Sequence, residues 1–272
     1  MRARHAATTA RQAADGEAER ARLVRELFAR PLRDYLYQAL GRPVAILRAG
    51  AQTPVEELGL GKLRESGFEI TVTTVDQDDP VARSAAPQEK APHGVDQHGV
   101  DQHGVYQHGD LRTIPLPPRS FDIVYCGFLL ERIPHAPLVL DRFLAALRPG
   151  GLLLLRVRDR DCAAAALDRL LPGVVRKALW VRLHPGEPGP FPAIYDPLAS
   201  ARGIPAYALS HGLVIARRES ARNPPGPPGR LSGAVSAART LVAWLSRGRL
   251  TDAHDELLYV IRKPEDRFAR LV

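Results

Sequence analysis

The chain has 272 residues, 45% hydrophobic and 25% charged, which is ordinary for a folded soluble protein and enough for one large domain or two small ones. No apolar run approaches the ~20 residues of a membrane-spanning helix, and MRARHAATTARQAADGEAER lacks the apolar stretch of a secretory signal. The net charge of +8 is almost all arginine scattered among acids, as in RVRDRD; without a basic block interleaved with aromatics, it argues against a nucleic-acid groove.

Residues 1–42 read as an N-terminal helical segment. Leu23, Val24, Leu27, Phe28, Leu32, Tyr35, Leu36 and Leu40 recur every three to four positions on one face, and Pro31 is expected to start a second helix. PVAIL (43–47) is a short strand, PVEELGLGKLRES a helix candidate, and GFEITVTTV a β-branched strand ending at Asp76. SFDIVYCGF is the next strand and APLVLDRFLAALR an amphipathic helix closed by PGG, with LLLLRVR following as strand. Further on, DPLASARGIPAYALSHG reads as helix and LVIARRES as strand. Residues 221–250 hold a Pro-rich loop and an inserted helix, and DELLYVIRKP is a closing strand. This alternation predicts an α/β fold, doubly wound around a mostly parallel sheet, occupying residues 43–272. Two cysteines, Cys126 and Cys162, form no disulfide framework and fit a reducing, cytoplasmic setting.

Residues 93–110, HGVDQHGVDQHGVYQHGD, repeat a five-residue unit with histidines at 93, 98, 103 and 108. Five residues of helix turn successive histidines about 140° apart, and odd spacing in a strand alternates faces, so no regular element gathers all four. A metal site is therefore not expected, and three units with one valine each are too few for a solenoid. The last copy, VYQHGD, reads as a third strand. The upstream copies read as surplus duplications in a surface loop.

Residues 109–158, GDLRTIPLPPRSFDIVYCGFLLERIPHAPLVLDRFLAALRPGGLLLLRVR, resemble the class I S-adenosylmethionine-dependent methyltransferases, in particular the small-molecule branch called type 11. The resemblance implies a Rossmann-like sheet of seven strands whose last strand, here ELLYVIRKP, is antiparallel. It also implies S-adenosylmethionine as cofactor. It places cofactor-binding positions at Ala49, Gly50 and Ala51, at Asp76 and Gln77, at Asp110 and Leu111, and at Cys126 and Gly127. Asp76 matches the acid that accepts hydrogen bonds from the ribose hydroxyls, a task two carboxylate oxygens suit, although an ordinary loop aspartate reads the same way. Asp110 matches the acid that holds the adenine amino group, with the Leu111 N–H reaching the ring. Cys126 serves equally as a small buried filler.

The first loop departs from the family. In ILRAGAQTP, Gly50 keeps the first of three spaced glycines, but Gln52 and Pro54 stand at the other two. Arg48 replaces an acid that holds the cofactor's ammonium, and like charges repel. Methyl transfer from a sulfonium is a direct displacement, so the protein chiefly positions the reactants and excludes water, and the lack of a nucleophile is no argument against activity. Glu131 and His135, after the fourth strand, are the candidate groups for deprotonating an acceptor, with a solvated helix cap as the plainer reading. The expected function is methyl transfer to a small molecule; the alternative is a non-catalytic methyltransferase-like binding or partner subunit. The sequence says nothing of oligomeric state. Deleting residues 93–102 is expected to leave the melting temperature unchanged, as differential scanning fluorimetry will show; a loss of folding makes the copies structural.

Overall fold

The computed structural model describes residues 22–38, 42–50, 58–77, 106–183, 189–222 and 230–265. Runs of Val, Ile and Leu bounded by Gly, Pro and Asp become the strands, as β-branched and aliphatic side chains suit a pleated surface. In chain order the elements are α1 (22–38), β1 (Val44–Ala49), α2 (Leu60–Glu65), β2 (Ile70–Gln77), β3 (Tyr106–Gly109) and β4 (Phe121–Gly127). They continue with α3 (Ala136–Ala146), β5 (Leu147–Arg158), α4 (Ala163–Leu170) and α5 (Gly173–Leu183). The last are α6 (Gly203–Ser210), β6 (Val214–Ala221), α7 (Arg230–Leu245) and β7 (Glu256–Arg262).

The strands form one sheet in the order β3-β2-β1-β4-β5-β7-β6. β1 to β5 pair in parallel, and β7 runs antiparallel between β5 and β6. The α/β, doubly wound reading with a reversed last strand therefore holds. Alternate residues of each strand feed opposite cores. Leu47, Leu153, Leu155, Leu257 and Tyr259 face α3 and α6. Val44, Ile46, Tyr125, Leu154 and Val260 face α1 and α2. Covered on both sides, the central strands are continuous apolar runs rather than alternating ones.

Several local expectations are corrected. Pro31 starts no new helix, because α1 runs unbroken from 22 to 38. Proline removes one hydrogen bond there, but the buried stripe of Val24, Leu27, Phe28, Leu32 and Leu36 holds the helix to the sheet. α3 ends at Ala146, and β5 begins at once at Leu147, ahead of the expected PGG stop. Only residues 60–65 of the PVEELGLGKLRES candidate are seen as α-helix, and the segment 51–57 lies outside the described residues. α6 starts at Gly203 rather than at Asp196. The sequence reading missed α4 and α5 entirely.

At the amino end of β4, the fully buried Asp122 carboxylate gathers four donors. Oδ1 accepts from the Tyr35 hydroxyl at 3.0 Å and from Arg42 at 2.7 Å. Oδ2 accepts from the Ala45 N–H at 3.0 Å and from Arg148 at 2.6 Å. Burial opposes its ionisation, yet these donors outweigh burial and hold the carboxyl below its usual range. One side chain thereby ties together α1, the Arg42 turn, β1 and β5. α1 also supplies Phe28, fully buried and edge-on to Tyr125 at 5.8 Å between ring centroids. Phe28→Ala is expected to lower stability by about 3–5 kcal/mol, read by urea denaturation. An unchanged midpoint would show that α1 is not part of the cooperative fold.

Candidate active site

Open α/β sheets bind ligands at the carboxyl ends of their strands, where strand order reverses. Here β1 and β4 are neighbours, and the ends of β3, β2, β1 and β4 stand side by side. Ala49 is level with Val75 and Cys126, and Gln77 with Gly109. Gly50 continues β1 with its N–H on the Val75 carbonyl at 3.0 Å and with φ of +91°. A Cβ there would meet the Gly127 carbonyl oxygen at 2.4 Å, so only glycine lets the two strand ends close up. Ala51, Gln52 and Pro54 lie outside the described residues. Arg48 is buried and level with Thr74 and Tyr125, and alternation puts it on the α1 face of the sheet, as it does Asp76.

Asp110 follows β3 and is partly exposed. Its carboxylate takes a forked pair from Arg112, with Nη2 at 2.8 Å and Nε at 2.9 Å, and it also accepts the Arg112 N–H at 2.9 Å. These bonds lower its pKa. Such an exposed pair exchanges for a ligand at little cost. Leu111, next to it, is buried.

Asp76 differs. It is fully buried, and its Oδ1 accepts the Gln77 N–H at 2.8 Å and Arg132 Nη2 at 2.6 Å. The Arg132 side chain is 2% exposed, and its guanidinium carbon lies 4.8 Å from the centroid of the Phe191 ring. Nε and Nη1 of Arg132 are buried with no hydrogen-bond partner. The sequence reading missed Arg132; an ion pair spanning 56 positions leaves no periodic trace.

Glu131 and His135 fall in different environments. His135 is exposed, with φ of +57° at the N-cap of α3, and lines an open groove with Leu138, Pro197, Leu198 and Tyr207. Glu131 is buried, and its backbone carbonyl accepts N–H bonds from Ile194 at 3.1 Å and Tyr195 at 2.6 Å. Burial pushes the Glu131 carboxyl up to about 7, against the opposing charge of Arg158 and backbone N–H bonds from Glu131 itself and Arg158. Glu131 Oε2 has no partner. Burial, and then the nearby Glu131 charge, raise the Cys126 thiol far above its usual range, so Cys126 is a neutral filler at the end of β4. Tyr195 donates to Asp168 at 3.0 Å and is paired with Arg158, which anchors the 189–196 strap from its far side.

The set of hydrogen-bond acceptors suits an adenosine. Two carboxylates, Asp76 and Asp110, end β2 and follow β3, and at Gly50 the backbone carries no side chain at the foot of the first loop. A family model described as a methyltransferase domain matches residues 49–187, just over half of the chain. The chain belongs to the class I methyltransferase family. S-adenosylmethionine is the cofactor of that family. A methyltransferase of Strobilurus tenacellus is 42% identical over 64 residues, a match spanning 24% of this chain and 23% of that relative's length. A solved S-adenosylmethionine-dependent methyltransferase from Mesorhizobium loti is 19% identical, covering 81% of this chain and 91% of that one, with a TM-score of 0.45. A solved structure from Galdieria sulphuraria, of a protein assigned as a sarcosine dimethylglycine methyltransferase, is 16% identical, covering 88% and 85%, with a TM-score of 0.49. Among the described residues no helix is long and apolar enough to cross a membrane, and no group of His, Cys, Asp and Glu could hold a metal.

The raised Glu131 pKa has a consequence for stability. Between the usual 4.5 and about 7, the carboxyl is protonated when folded and ionised when unfolded. Stability from this group is therefore full below pH 4.5 and lost as pH rises towards 7. Glu131→Gln, which keeps the shape without the charge, is expected to gain in melting temperature over wild type at pH 8 relative to pH 5. Parallel melting profiles for the two proteins would contradict it.

Proposed function

We propose that this methyltransferase moves a methyl group from S-adenosylmethionine to an oxygen or nitrogen nucleophile of a small molecule. The observation that carries the reading is the placement of Ala49 with Gly50, Asp76 with Gln77, Asp110 with Leu111, and Cys126 with Gly127 at the ends of four adjacent strands. In this reading Asp76 accepts from the ribose hydroxyls, Asp110 from the adenine amino group, and the Leu111 N–H reaches the ring. The cofactor supplies an electrophilic methyl on sulfur, already carrying a good leaving group. What remains for the chain is to bind, orient and exclude water.

Glu131 is the group that moves a proton. The Glu131 carboxylate would take the proton of an acceptor O–H or N–H, leaving the nucleophile's electron pair for the methyl that the cofactor would supply. A carboxyl near 7 is a base matched to neutral pH. His135 and the groove beside it form the outer wall of the acceptor site. Residues 43–272 act as one methyltransferase-like unit, on which α1 of the N-terminal segment is packed, and the two free, buried cysteines fit a cytoplasmic setting.

The alternative, a binding or partner subunit without catalysis, is favoured by one observation: Arg132 already occupies Asp76. Calorimetric titration with S-adenosylhomocysteine separates the two. Wild type is expected to bind, and Asp76→Asn, a neutral isostere whose folding is checked by its melting curve, to weaken binding by about 1.5–3 kcal/mol, the range for a lost hydrogen bond to a charged group. No heat of binding from wild type at millimolar ligand would hand the reading to the partner subunit.

A further inference from the structure

The described residues connect Asp76 to the protein surface through a chain of contacts. Asp76 holds Arg132 at 2.6 Å, and the Arg132 guanidinium lies against the Phe191 ring. Phe191 packs edge-on to Trp180 of α5 at 6.4 Å, and its carbonyl accepts from Arg176 of the same helix. The Trp180 indole also fills the space beside Gly189, where a Cβ would fall 2.2 Å from the ring. Further along, the strap is fixed: Ile194 and Tyr195 donate to the Glu131 carbonyl, and Tyr195 is buried against Cys162 and Ala165.

α5 itself is weakly held. None of its residues is buried, and Val174 and Val181 are 83% and 61% exposed. Arg176, Leu179, Trp180 and Leu183, which form its inner stripe, are only half-buried. An element with so few buried contacts opens at small cost. The Asp76 end is the opposite: a buried pair whose Oδ1 already accepts from Arg132 and from the Gln77 N–H, so that the oxygen has no lone pair left for one of two ribose hydroxyls while Arg132 holds it.

We propose that Arg132 is a latch that keeps the cofactor's ribose acid closed, released when α5 and the 189–193 part of the strap lift together. With Phe191 moved off its face, Arg132 reaches water, and Asp76 is left to the ribose. The inference rests on the reading of Asp76 as the ribose acid. It makes Arg132 and Phe191 positioning residues that set the rate of cofactor entry, with no direct role in chemistry.

Trp180 is the natural reporter, since the chain has only two tryptophans and Trp244→Phe removes the other, an exposed residue on α7. In that background, stopped-flow mixing with S-adenosylhomocysteine is expected to change Trp180 emission at a rate that rises and then saturates with ligand, because opening precedes binding. Phe191→Ala is expected to raise the saturating rate at least tenfold and tighten binding several-fold. Arg132→Gln is expected to do the same, and Phe191→Ala alone suffices should the Arg132 variant misfold. A rate linear in ligand and equal in wild type and Phe191→Ala, with Asp76→Asn still binding poorly, would overturn the latch and leave the cofactor reading standing. Asp76→Asn binding as well as wild type, or no binding by any form, would overturn the cofactor reading beneath it.

Discussion

A carboxylate buried at the end of a strand is tolerated only when donors surround it, and that requirement organises both ends of this sheet. At the amino end, Asp122 takes four donors from α1, the Arg42 turn, β1 and β5. No ligand position is involved, so the group acts purely as a staple. At the carboxyl end, Oδ1 of Asp76 accepts a backbone N–H and an arginine. The same electrostatic necessity gives a fixed joint at one end and an exchangeable one at the other. The difference lies in what holds the partner. Arg148 and Arg42 sit on the body of the fold, whereas the face of Arg132 is covered by a strap.

The carboxyl edge carries more charge than a sheet core usually does. Arg48, Arg132 and Arg156 are buried there with Asp76, Glu131 and Glu256. Arg156 is paired with Glu256 and stacked on Phe128, and Arg132 with Asp76 is stacked on Phe191. Two arginines thus use the same pattern, a carboxylate on the edge of the guanidinium and an aromatic ring on its face. Glu131 has no ring-stacked arginine partner of this kind, and burial pushes its carboxyl up to about 7 against the charge of Arg158 and two backbone N–H bonds.

Most of the sheet was legible because the physics that builds it is local. Strands covered on both faces must be apolar throughout, and the runs ending at Asp76 and at Cys126 with Gly127 mark their own carboxyl ends. The repeat's last copy could be read as β3 for the same reason, since VYQHGD has to enter the sheet just before Asp110; the copies at 93–102 lie outside the described residues. What was not legible is what depends on distance in sequence or on weak patterning. Pro31 argued for a helix boundary, but five buried side chains on one stripe override a single missing hydrogen bond. α5 shows no one-sided apolar pattern, as GVVRKALWVRL places its three valines on the face opposite Leu179, Trp180 and Leu183. Arg132 looks like any arginine in LLERIPH. Its role appears only when the sheet brings Asp76, and the strap brings Phe191, to the same guanidinium.

The choice of arginine at position 132 follows from that double demand. A lysine ammonium is a strongly hydrated point charge on a flexible stem, so burying it against a ring would remove its water without a flat surface to offer in return. A guanidinium is planar and weakly hydrated, donating along its edge while its face packs on an aromatic ring. Here Nη2 serves Asp76 while the face of the same group meets Phe191, and Nε and Nη1 remain buried without partners. Leaving donors unsatisfied in a buried site is costly. A pair that carries such a cost is less stable than a fully satisfied one, so the bond to Asp76 and the ring contact close the arrangement less tightly than a full set of partners would. Asp122, with every donor in place, has no such weakness and no need of one.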